Sequence, residues 1–172
     1  MADYYGTLAD ADAYMQARGY AWTGTDADKE AALLRASQYI DGLSGAPVAG
    51  RPGCRTIFPG TKAGGRTQLR AWPRTGSVDR DGQPVGPDEV PQEVVYATYE
   101  AAYRELASPG SLSPDFTASS LVKREKVASL EVEYAVSESA GNSAIIPVVS
   151  SINSLLYSLL VTRCGGPAFF VV

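Results

Sequence analysis

The residues able to do chemistry are few, and their spacing argues against most of it. The chain has no histidine, so the commonest zinc ligand and the base of Ser-His and Cys-His nucleophile pairs are missing. The run from Gly45 to Pro52 approaches a phosphate loop, but Arg51 stands where the lysine belongs and Pro52 where the hydroxyl belongs. Asp79-Arg80-Asp81-Gly82 resembles the start of a calcium loop without its downstream acids, and reads as a plain turn. Cys54 and Cys164 lack metal-ligand spacing. Two separate thiols in a reducing compartment are the expected state, with a disulfide as the alternative. These readings predict a protein that is no enzyme and carries no metal or cofactor.

What remains is charge and shape. The net charge of −4 is unevenly spread. Residues 51–80 hold Arg51, Arg55, Lys62, Arg66, Arg70, Arg74 and Arg80 against Asp79, a balance of +6, while the rest of the chain sums to −10. A duplex-gripping protein would be basic overall or along a helix; here a single loop is basic on an acidic body. Such a loop is either solvated or faces an acidic surface, on a partner or on a second copy. Within it, Trp72-Pro73 makes a rigid apolar knob between Arg70 and Arg74, and the residue before proline is held extended. Trp72 is either an anchor against a neighbour or part of its own subunit's core.

The elements that must position these residues are mainly helical. At 172 residues the chain reads as a single domain over 1–162 with a C-terminal tail over 163–172. Thr7 predicts an N-cap ahead of a first helix with Leu8, Ala11 and Met15 on one face, stopped at Gly19. Asp26 opens a second helix with Leu33, Ala36, Ile40 and Leu43 as its stripe, and Gly42 stands where a left-handed cap is wanted. Residues 43–86 show no sustained periodicity, and a loop of that length is functional or ordered by a partner. Pro91 opens a third helix whose stripe is Val95, Tyr99, Ala102 and Leu106, with Glu93, Glu100 and Arg104 on its wet face. Ser108-Pro109-Gly110 ends it. A last helix from near Pro147 carries Ile152, Leu155, Leu156, Leu159 and Leu160, with Ser151, Ser154 and Ser158 on its small-residue face.

Between the last two helices, residues of about 122–136 pattern as an antiparallel hairpin turning at Ala128-Ser129. That register sets Lys126 against Glu131 and Arg124 against Glu133, with Lys123 just before them; cross-strand charge pairs each add a few tenths to about 1 kcal/mol. A lone two-stranded hairpin is marginal in water, so it must lean on the helices or on a neighbouring subunit. The tail places Phe169 and Phe170 beyond Gly165-Gly166, as apolar groups for docking or as a loose terminus. The expected fold is thus a small bundle of about four helices with a β-hairpin, a long basic loop and an extended tail.

Five blocks recur in a family order: Tyr5-Gly-Thr-Leu-Ala-Asp-Ala-Asp-Ala-Tyr14; Lys29 to Ser37 with Tyr39-Ile-Asp-Gly42; Trp72-Pro-Arg-Thr-Gly76; Val90-Pro91-Gln92; and Val122-Lys-Arg-Glu-Lys-Val127. Over about residues 3–160 this order resembles the head-to-tail connector, or adaptor, proteins of tailed bacteriophages, some of which carry the label DnaT-like single-stranded-DNA-binding protein. The loop over 43–68 and the tail over 163–172 fall outside the matching blocks. The resemblance implies a dodecameric ring in the virion neck, made in the host cytoplasm. It would dock on the portal protein, meet a tail-side neck or tail-terminator protein, and pass packaged double-stranded DNA without sequence-specific contact or membrane association. A single-stranded-DNA-binding module, with Tyr4, Tyr5, Trp22 and Trp72 as stacking candidates, and another neck protein such as a tail terminator are the alternatives. In the connector reading, Arg51, Arg55, Lys62, Arg66, Arg70, Trp72, Arg74, Phe169 and Phe170 would make subunit or partner contacts.

Overall fold

The structure is a computed structural model describing residues 3–48, 50–113, 124–127, 130–133 and 149–165. Four helices carry the fold: α1 (Leu8–Ala17), α2 (Asp26–Gly42), α3 (Gln92–Ala107) and α4 (Ser150–Leu155). Among the described residues, six short strands make three separate two-stranded antiparallel ladders, and the fold is mainly helical.

The first two helices begin at threonine caps. Thr7 Oγ1 accepts from Asp10 N at the start of α1. At α2 the side chains of Thr25 and Asp28 reciprocally cap each other's backbone N–H, satisfying two donors that have no intrahelical partner. Pro91 is the N-cap of α3, one residue earlier than its expected first-turn position. The expected left-handed cap at Gly42 is not formed: Gly42 is the last helical residue, Leu43 follows at φ −64°, and the positive φ comes at Gly45.

The core lies between α2 and α3, with α1 and α4 packed on α3. Leu33, Ala36 and Ile40 of α2 meet Val94, Ala97, Ala101 and Ala102 of α3 in one buried cluster. The small alanine face lets the two backbones approach closely. Burial on α3 corrects the expected wet face in part: Glu93 and Arg104 are half-buried, but Glu100 is only 4 % exposed, and Glu105 2 %. The helix lies between three neighbours, which cover both of these acids. Both acids are paired. Glu100 bonds Arg104 at 3.2 Å in the expected i,i+4 order and accepts from the Tyr14 and Tyr20 hydroxyls. Glu105 accepts from Arg35 Nε and from the backbone N–H groups of Gly110 and Leu112.

The last helix is shorter than its apolar pattern suggested. It ends at Leu155, turns through 156–159, and gives way to a strand, β6 (Val161–Cys164). Ile152, Leu156 and Leu159 are still buried, because the turn keeps them on the core side. Ser151 of the small-residue face accepts from Arg104 Nη2. Pro147 lies outside the described residues. β6 pairs with β1 (Cys54–Ile57), and Cys54 and Cys164 face each other and are joined by a disulfide. The expected pair of separate thiols is thereby corrected. The strand that aligns them runs through Arg163 and Cys164, the first residues of the expected tail.

The hairpin consists of β4 (Arg124–Val127) and β5 (Leu130–Glu133). Its register sets Arg124 opposite Glu133 and Lys126 opposite Glu131, as the charge pattern required. Lys123 and the turn at 128–129 lie outside the described residues.

Candidate functional site

The basic loop is ordered by its own chain, not left for a partner to order. Two short strands, β2 (Thr61–Lys62) and β3 (Arg74–Thr75), pair across it, with a single 3-10 turn at Gly65–Thr67 between them. Phe58 and Trp72 drop from the loop into the core at 2 % and 1 % exposure, their rings edge-to-face at 5.6 Å. Trp72 is therefore a residue of its own subunit's core, the second of the two roles its sequence left open. The Trp72–Pro73 peptide is cis.

A polar latch holds this segment on the bundle. Tyr5 Oη donates to Asp41 Oδ1 at 2.5 Å and accepts from Trp72 N at 3.0 Å. Asp41 also accepts from Ala71 N at 3.1 Å and from Arg70 at 3.4 Å, while Arg70 Nε donates to Asp3 O. Burial, reinforced by the Asp41 carboxylate, drives the Tyr5 pKa far above that of a free tyrosine, so the hydroxyl stays a donor. Arg74 reaches the carbonyls of Phe58, Pro59, Gly60 and Ala71. Its five N–H groups suit this role, since a tight turn leaves carbonyls that no ladder satisfies.

The other cations divide sharply. Lys62 donates to the Gln68 and Leu69 carbonyls. Arg80 donates to the Tyr157 and Leu160 carbonyls and lies over the Tyr157 ring, pinning the 78–84 turn to the end of α4. Asp79 accepts from Asp81 N and Gln83 N, so its carboxylate shapes that turn. Arg55 donates one bond to Gly45 O and is otherwise exposed, while Arg51 and Arg66 are exposed and enter no ion pair among the described residues.

Seven cations that looked like one arm are thus two sets. Lys62, Arg70, Arg74 and the still exposed Arg80 each hold two or more groups of their own chain; Arg51, Arg55 and Arg66 face solvent with at most one such bond among the described residues. The ladder adds a cation that sequence reasoning passed over: Arg163 stands directly opposite Arg55. The one local signal for it was the nearby Cys164, whose partner only the fold identifies. Phe169 and Phe170 lie outside the described residues. Of the hairpin positions, Arg124, Lys126, Glu131 and Glu133 occupy the expected rungs.

The stacking candidates are largely unavailable. Tyr5 and Trp72 are buried, Trp22 is 9 % exposed with its Nε1 donating to Asp12, and Tyr4 is partly covered and donates to Glu30. Elsewhere, a cleft of about 620 Å3 between α1 and α3 is walled by Tyr14, Tyr96 and Tyr99 with Arg18 at its edge. Arg18 stacks on Tyr14 at 3.5 Å and nears Glu100 at 3.9 Å. Burial first and the Glu100 charge second raise the Tyr14 pKa, whereas the Glu100 charge leads in raising that of Tyr20. Both hydroxyls are donors to the buried Glu100 carboxylate.

The protein is thus a mainly helical bundle with a pinned, partly cationic loop and a β-hairpin. The family model described as "Putative DnaT-like ssDNA binding protein" matches residues 1–172, and the chain belongs to that family. Comparisons with curated proteins and with solved structures found no match.

Proposed function

We propose that this protein is a ring-forming connector between the portal and tail of a tailed bacteriophage. The observation that carries the reading is the β4–β5 hairpin, which contacts no other described element of its own chain. A two-stranded ribbon is marginal in water without a surface to cover one face. A neighbouring copy supplies that surface, and a contact between unlike patches repeats around a closed ring. The resemblance of the sequence blocks to connector proteins points the same way. In this role one face of the ring meets the portal protein and the other a tail-side neck or tail-terminator protein, with packaged DNA passing through the channel in the virion neck.

The family description favours a second reading, a module that binds single-stranded DNA. The burial of Tyr5, Trp22 and Trp72 argues against base stacking on the residues first considered for it. Native mass spectrometry of the purified protein, alone and with a portal protein, separates the two. The connector reading expects a discrete ring, dodecameric in the simplest case, that associates with the portal. A protein that stays monomeric in both samples overturns it.

A further inference from the structure

The β1–β6 ribbon carries an uncompensated arginine face. Arg55 and Arg163 are partners in the ladder, so their side chains leave the same face of the ribbon, and both residues are exposed. Like charges placed opposite each other destabilise a ladder, yet neither forms an ion pair among the described residues. Arg51, also exposed and in no ion pair among the described residues, sits in the turn that feeds β1, where its carbonyl accepts from Cys54 N. No Asp or Glu occurs in residues 43–78 or 149–172, the two segments that supply the ribbon and its flanks.

The repulsion is held in place mechanically. The Cys54–Cys164 disulfide closes the adjacent rung and fixes the register of the two arginines. Arg55 Nη1 donates to Gly45 O at 2.7 Å, which orients its guanidinium and leaves the remaining N–H groups outward. Neither β1 nor β6 carries an aromatic residue, so the face offers charge and forked donors without a platform for stacking a base.

We propose that this face binds the phosphodiester backbone of DNA, through Arg55 and Arg163 with Arg51 at its margin. Planar guanidinium groups match phosphate oxygens bidentately, and two of them on one rung can take adjacent phosphates. Such contacts position a strand without reading its sequence. The assignment rests on DNA being handled by this protein, which the connector and single-stranded-DNA readings share.

Fluorescence anisotropy over a salt series tests it, using labelled oligo-dT and a duplex of equal length on the intact, disulfide-bonded protein. Arg55→Gln/Arg163→Gln is compared with wild type and with Arg66→Gln, which removes an exposed arginine outside the ribbon; thermal melts confirm folding. Losing two phosphate contacts should flatten the slope of log K against log salt by about 1.4 for the single strand or about 1.8 for the duplex. Arg66→Gln should leave the slope unchanged, and the probe that responds identifies the form of DNA bound. The site is overturned if wild type binds but the double variant keeps its slope, or if the double variant loses only assembly. Wild type that binds neither probe overturns both the site and the single-stranded-DNA reading. The connector reading is judged separately by its ring.

Discussion

Residue types in this chain are used against their usual stereotypes. Arginine in a surface-looking loop serves as a carbonyl collector: Arg74 alone satisfies four backbone oxygens of the 58–60 turn and Ala71. Glutamate on a helix serves as a buried cap. Glu105 closes the C-terminal end of α3 by accepting from Gly110 N and Leu112 N while Arg35 neutralises it. Burial by itself would raise its pKa, but the two backbone donors and Arg35 more than offset this and hold it below the ordinary carboxylate value. A depressed folded-state pKa gives stability that is present above the unfolded value, about 4.3, and is lost as pH falls through the folded one. Wild type should therefore lose stability below about pH 4 more steeply than Glu105→Gln, which has no carboxyl to protonate there. Urea melts at pH 7 and at pH 3 check this; equal pH dependence in the two proteins would count against it.

At the scale of elements, the loop over 43–86 behaves as a folded appendage. It is held by the β2–β3 pair, by Phe58 and Trp72 in the core, and by tight turns at fixed glycines. Gly60 is the most constrained of these: at φ +74°, a Cβ would lie 2.5 Å from Thr75 O and 2.8 Å from Ser77 N. Both neighbours are backbone, so no side chain can swing aside. Gly60→Ala should cost more than the roughly 1–2 kcal/mol that a left-handed backbone imposes on a residue with a Cβ, read as a lowered denaturation midpoint with an unchanged m-value. Gly76→Ala, at φ +70° in open space, separates the two causes. It bears the conformational strain without the clash and should lose less.

For the whole molecule, the disulfide is the longest covalent constraint, joining residues 110 apart in sequence. It ties the strand after α4 to the strand after α2, closing the chain around the bundle. A loop of that size predicts a stabilisation of about 2–5 kcal/mol by restricting the unfolded ensemble. Cys54→Ser/Cys164→Ser should melt at a lower temperature than the oxidised wild type and match the reduced wild type. Alkylation of the denatured, unreduced protein should label neither cysteine. Labelling of both would remove the constraint and, with it, the fixed register of Arg55 and Arg163.

The elements whose causes are local are legible in the chain alone. Thr7 and Thr25 can cap because their hydroxyls reach backbone donors three residues on. Helical spacing of Leu33, Ala36 and Ile40 marks a buried stripe whatever the neighbour, and alternating charge pairs set the hairpin register through a period of two. The tertiary structure alone decided everything that depends on residues far apart in the chain. Glu100 and Glu105 are buried because α3 is surrounded, which its own pattern does not record. Trp72 is core because two other segments hold its stretch of backbone: Tyr5 accepts from the Trp72 N–H and Asp41 from that of Ala71. Cys54 finds Cys164 only once the helix stops at Leu155 and the chain continues as β6, and that pairing sets Arg163 beside Arg55. Local rules act over a few residues, whereas which cations hold their own chain and which face outward depends on carbonyls and carboxylates brought from elsewhere by the fold.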